Sequence, residues 1–219
     1  MLRPLLTATF LWLLALPAAA SWELGAKALE QGDFERAAKF LSRVAADDVR
    51  AQFALGILYL SGQGVERDEE RGANWIKRAA NHDLPAAQTV LGSLYTAGRG
   101  VEQSDGEAGR WFRRAASWGD REGQAALGIL SHIGRGVPKS DIESFMWLSL
   151  AERQGHVRAA EFREVLEPTL SLPQRAMAKQ RIEAFKPRKP PVLSNWYDMQ
   201  NHFNGYDPNG DVAAFWPEF

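Results

Sequence analysis

AQFALGILYLSGQGV at residues 51–65 recurs as AQTVLGSLYTAGRGV at 87–101 and as GQAALGILSHIGRGV at 123–137, three copies of one pattern spaced 36 residues apart. A fixed period of this length marks a small structural unit that cannot bury its own apolar face and must stack on its neighbours. The register continues past the quoted stretch: Trp75, Trp111 and Trp147 align, with a small residue three positions before each (Gly72, Ala108, Ser144) and an alanine four positions after (Ala79, Ala115, Ala151).

Each unit reads as two helices. Leu55, Leu58, Tyr59 and their equivalents fall at helical spacing around the aligned Gly56, Gly92 and Gly128, and a second periodic run carries the tryptophan. Between them stand Gly62-x-Gly64, Gly98-x-Gly100 and Gly134-x-Gly136. No strand pattern precedes these pairs and none has a third glycine, so they predict interhelical turns and not a nucleotide loop. Ser104 with Glu107, and Ser140 with Glu143, have capping-box spacing at the start of the second helix, where the first copy offers Asp68. Gly119 and Gly155 supply left-handed residues at its end, and Asp83 stands in their place in the first copy.

The pattern resembles the Sel-like repeat branch of the tetratricopeptide superfamily, on the A-x-x-x-L-G-x-x-Y run, the G-x-G-V turn and the Trp followed by Ala-Ala. The resemblance covers about half the chain. It implies an all-α fold, a right-handed superhelical solenoid of antiparallel helix pairs. It also implies a non-catalytic adaptor that binds a protein or peptide of the cell envelope. Ser131 replaces the tyrosine and Glu152 the second alanine of the third copy, which predicts looser contacts there.

The three repeats are placed at 51–86, 87–122 and 123–158. Residues 21–50 read as a capping hairpin turning near Gly32-Asp33, 159–186 as two terminal capping helices, and 187–219 as a proline-rich spacer with an aromatic tail. At the N-terminus, Arg3, the apolar run Leu5 to Leu16, Pro17 and Ala18-Ala19-Ala20 read as a signal peptide cleaved after Ala20. Its apolar core falls short of the ~20 residues a spanning helix needs. The expectation is a periplasmic or secreted protein with no integral membrane segment after cleavage.

Composition narrows the chemistry. With 45% hydrophobic and 24% charged residues the chain is globular, and without cysteine it has no disulfide, thiolate or lipidated cysteine. Without Arg3 it carries 25 basic against 27 acidic residues and no basic stripe, so nucleic acid is not expected as a partner. His82, His132, His156 and His202 are scattered, and no G-x-S-x-G, H-E-x-x-H, P-loop or S-x-x-K occurs. Neither cofactor nor metal is expected; Asp207-Pro208-Asn209-Gly210-Asp211 lacks the spacing of a calcium loop and reads as a turn. The alternative from another class is a cell-wall hydrolase or an accessory subunit of one. A purely structural spacer is a third reading.

On the first helix, Ala51, Leu55, Leu58 and Tyr59 share one side, and Phe53, Ile57 and Leu60 the other. In superhelical repeat families the first helices line the concave surface, so the resemblance assigns a partner-binding groove to Phe53, Ile57 and Leu60. Its equivalents are Thr89, Ser93 and Thr96, then Ala125, Ile129 and His132. The alternative is that these columns pack against neighbouring repeats. Seven aromatics crowd the last 25 residues, among them Trp196, Tyr197, Phe203, Tyr206, Phe215 and Trp216, as candidates for docking on the chain's own solenoid, on a partner or on a membrane surface. Asp198, Asp207, Asp211 and Glu218 disfavour the membrane. Oligomeric state is open.

Overall fold

The computed structural model describes residues 18–188, with side chains from residue 21 onward. Most of the expected signal peptide (1–17) and the tail with Trp196, Tyr197, Phe203, Tyr206, Phe215 and Trp216 lie outside the described residues. Among the described residues are ten α-helices and no strand. The first pair is α1 (Ala18–Glu30) with α2 (Phe34–Leu41). The repeats are α3 (Val49–Ser61) with α4 (Glu69–Asn81), α5 (Pro85–Ala97) with α6 (Asp105–Ser117), and α7 (Arg121–Ile133) with α8 (Asp141–Glu152). The array closes with α9 (Val157–Leu166), a 3-10 turn at Glu167–Thr169, and α10 (Leu172–Ala184). From α1 to α9 each helix lies against the next, and α10 folds back onto α8. No described helix is long and apolar enough to cross a membrane.

Helix starts follow side-chain caps. Asp48 accepts from the N–H of Arg50 and Ala51, Asp68 from Arg71, Asp120 from Gly123, and Ser104 and Ser140 from Glu107 and Glu143. The first helices of copies one and three therefore begin on an aspartate, two residues ahead of the boundaries expected from the aligned Ala51 and Gly123. The capping boxes expected at Ser104 and Ser140 are only half made. Their own N–H groups donate instead to Tyr95 O at 2.9 Å and Ser131 O at 2.7 Å, as Asp68 N–H does to Tyr59 O at 3.0 Å. Each second helix is thus tied to the end of its first helix. A complete capping box occurs at Ser171 and Gln174, ahead of α10.

The recurring glycines do two different jobs. In mid-helix, a Cβ at Gly56, Gly92 or Gly128 would lie 2.6, 2.8 and 2.8 Å from Ile76, Phe112 and Leu148, the residues that follow each aligned tryptophan. Their absence of a side chain lets the two helices of a repeat approach closely. In the turns, Gly62, Gly98 and Gly134 are left-handed caps at φ 72°, 67° and 74°. Gly64, Gly100 and Gly136, also left-handed, face the backbone at the start of the preceding second helix, where a Cβ would collide with Phe34, Glu69 and Asp105 respectively. Because Gly64 meets α2 as Gly100 meets α4, the α1–α2 pair takes the position of a preceding repeat.

Candidate functional site

The expected groove is closed. Phe53, Ile57, Leu60, Thr89, Ser93 and Ile129 are each at most 3% exposed, with Thr96 at 8% and Ala125 at 0%. Phe53, Ile57 and Leu60 belong to the core cluster spanning α1 to α5. Leu60 meets Gly72 of its own second helix. The Thr89 hydroxyl donates to Asp120 Oδ1 at 2.7 Å, at the start of α7, while Ser93 and Thr96 back-bond to Thr89 O and Gly92 O. Ile129 packs in the cluster built by α8, α9 and α10. His132 is half-buried, with Nδ1 2.7 Å from Asp141 and its ring 5.3 Å edge-on to Phe162 of α9. The physical reason is contact between first helices: α5 touches α7 directly, and α9 covers the last repeat. A helical wheel identifies the apolar side but not what covers it.

Half-buried aromatics recur on both helices of a repeat: Tyr59 and Tyr95 on the first, with the Arg71 guanidinium 4.4 Å over Tyr59, and the tryptophans on the second. Trp75, Trp111 and Trp147 are half-buried, whereas the residue following each one is fully buried. The Arg78 guanidinium stacks 4.6 Å over Trp75 and that of Arg114 5.4 Å over Trp111. Trp118 follows Trp111 by seven residues and so shares its side of the helix. The indole Nε1 atoms of Trp111 and Trp118 are both buried without an acceptor. Trp147 meets the ring of Phe185 edge-on at 5.4 Å.

Polar ties link one repeat to the next. Gln52, Gln88 and Gln124, at one register position, donate to Ala45 O in the turn after α2 and to Ala80 O and Ala116 O at the ends of α4 and α6. This column is visible in the aligned sequence, but buried glutamine is recognised only once the carbonyl it serves is known. Arg99–Glu69 at 3.0 Å and Arg135–Asp105 at 2.8 Å repeat one ion pair at the second-glycine turns. Glu69 is held below the usual carboxylate range by the Arg67 hydrogen bond, with Arg99 adding to it against the opposing effect of burial.

Between repeats three and the closing helices, His156 Nδ1 accepts from Ala159 N–H at 3.0 Å, leaving Nε2–H to donate to Glu122 at 2.9 Å. Burial pushes Glu122 up, but the hydrogen bond from His156, together with Arg121, outweighs it and holds the carboxyl low. Asp120 goes the other way: burial raises it more than the Gly123 N–H and Thr89 hydroxyl lower it. Glu152, expected to loosen the third copy, instead pairs with Arg163 of α9 at 2.6 Å. Among the described residues no group of three or more acidic or histidine side chains is placed to hold a metal ion.

A family model described as the Sel1 repeat matches residues 49–84, 85–120 and 121–156, beginning two residues before the boundaries read from the sequence. A Sel1 repeat protein from Oxalobacter formigenes is similar to this chain at 36% identity and TM-score 0.54, covering 57% of this chain and 94% of that one. A protective antigen of uropathogenic Escherichia coli with an SLR fold shares the architecture at 22% identity and TM-score 0.56. That match covers 84% of this chain but only 48% of the antigen. No curated protein matches the chain.

Proposed function

Because the chain belongs to the Sel1-repeat family, whose fold is in general a protein–protein interaction scaffold, we propose that it is an exported, non-catalytic adaptor holding a peptide or another envelope protein against its helical surface. One observation carries the reading. Trp75 and Trp111 recur on the outer side of the array, each with an arginine stacked on it, and Trp and Arg are the side chains that most often anchor interfaces. With Phe53, Ile57 and Leu60 buried, the stacked Trp75 and Trp111 are the aromatic pair assigned here to the partner. Export rests on Arg3, the apolar run Leu5 to Leu16 and the small residues Ala18-Ala19-Ala20.

The test is photocrosslinking in the source cell from position 75, combined with fractionation of the cell. A crosslink to one defined protein in the periplasmic or secreted fraction is the expected result. A chain that stays in the cytoplasm, or a full-length protein that forms no crosslink to any other protein there, overturns it.

A further inference from the structure

The array has two chemically different rims. The turns inside the first two repeats bring Glu66, Asp68, Glu69, Glu70, Glu102, Asp105 and Glu107 to one rim, against Arg67, Arg71 and Arg99 over the same residues. The turns between repeats and the C-terminal halves of the second helices carry Arg43, Lys77, Arg78, Arg113 and Arg153 toward the other, all of them exposed. Its carboxylates are largely engaged: Asp83 by Arg114, Glu122 by His156, and Asp120 by Gly123 and Thr89.

The chain itself is delivered to this cationic rim. After α10 it does not leave from the end of the solenoid. Phe185 rests on Trp147, Pro187 lies beside Gly119, and the Arg188 N–H donates to Ser117 O at 2.9 Å while its guanidinium stands 5.8 Å over the Trp118 ring. From there 31 residues follow, carrying Lys189 against Asp198, Asp207, Asp211 and Glu218, together with seven aromatics. At ~3.3 Å per extended residue such a segment reaches any inter-repeat turn, and its attachment at Arg188 makes docking intramolecular, at an effective concentration of order millimolar.

We infer that the acidic aromatic segment 189–219 docks on the cationic rim of its own chain, beginning at the Trp118 turn and running over the neighbouring inter-repeat turns. The rim offers what that segment lacks, exposed cations for its carboxylates, and the Trp118 ring beside Arg188 marks where the segment begins. Docking there makes the segment an internal competitor for any acidic partner of the rim. This stands whether or not the proposed envelope partner exists, because its ligand is part of the same chain.

A photoreactive side chain is placed in the full-length protein at position 113 or 153, and at position 66 on the acidic rim as a control. Equal amounts of isotopically light and heavy protein are mixed before illumination. The expected result is a crosslink from 113 or 153 to residues 189–219 within one chain, and none from 66. It is lost in the triple variant Asp198→Lys, Asp207→Lys, Asp211→Lys, whose repeat region is untouched. Crosslinks that join light to heavy chains, that form equally from 66, or that survive the charge reversal overturn the inference, as does the absence of any crosslink to 189–219. None of these outcomes depends on a partner protein, so they separate cleanly from the in-cell experiment.

Discussion

The two kinds of turn in this molecule solve the same problem in opposite ways. Inside each repeat the chain reverses through two left-handed glycines, and the second of them lies flat against the backbone of the preceding repeat. Between repeats the left-handed position is Asp83, Gly119 or Gly155, and side chains do the joining. Asp83 accepts from Arg114 Nε at 3.0 Å and from Gln88 at 3.2 Å. Where backbone meets backbone no side chain is tolerated, and the three copies are alike. Where side chains bridge, the glutamine column is shared but the charged partners differ from joint to joint, Asp83 with Arg114 at one and Glu122 with His156 at another.

That contrast can be broken by substitution. Gly100→Ala should be the most damaging change, because a left-handed alanine costs about 1–2 kcal/mol before the collision with Glu69 is added; a total above about 3 kcal/mol is expected in urea unfolding. Gly106→Ala, in α6 where a Cβ meets nothing within 4 Å, should instead stabilise by up to about 1 kcal/mol. Equal effects at the two glycines would dissolve the distinction. Asp83→Ala keeps the positive φ of 60° while removing the acceptor for Arg114 and Gln88, and should cost about 1–2 kcal/mol.

Asp120 sharpens the polar side of the comparison. Its folded carboxyl titrates above the ordinary value of 3.8, so between those two values the folded state binds more protons than the unfolded chain. Stability contributed by this group therefore falls as pH rises through that window, at no more than about 1.4 kcal/mol per pH unit. Glu122 acts in the opposite sense: its contribution is full above the ordinary carboxylate value and is lost as pH falls. Unfolding Asp120→Asn across a pH series should remove the first slope and keep the second. The smallest effect is expected for Asp83→Gly, where relief of the left-handed strain offsets loss of the Arg114 bond to within about 0.5 kcal/mol; thermal unfolding of Asp83→Gly beside Asp83→Ala measures the strain directly.

What the sequence made legible is what depends on the backbone alone. The 36-residue period, the helix pairs, the Gly-x-Gly pairs as interhelical turns and Asp83 in a glycine's place all follow from spacing and allowed φ. What it hid depends on a partner distant along the chain. Thr89 and Ile129 read as surface because Asp120 and the closing helices α9 and α10 that share their core lie beyond their own hairpin. Glu107 and Glu143 read as capping arms, yet the N–H groups they would have served are bonded to Tyr95 and Ser131. Glu152 read as a flaw because Arg163 is eleven residues away. The tryptophans were found as markers of the repeat, but a period cannot say that the residue after each one fills the core while the tryptophan keeps one side toward solvent.

The second glycine of each turn also makes the length of the array adjustable. Gly136 meets Asp105 as Gly100 meets Glu69, and Arg135 pairs with Asp105 as Arg99 does with Glu69. Removing residues 85–120 would bring Gly136 and Arg135 to Glu69, a joint of the same kind. At this turn the molecule is a ruler graduated in whole repeats: units excised or duplicated keep the glycine contact, and only side-chain bridges such as Asp83–Arg114 would need a new partner.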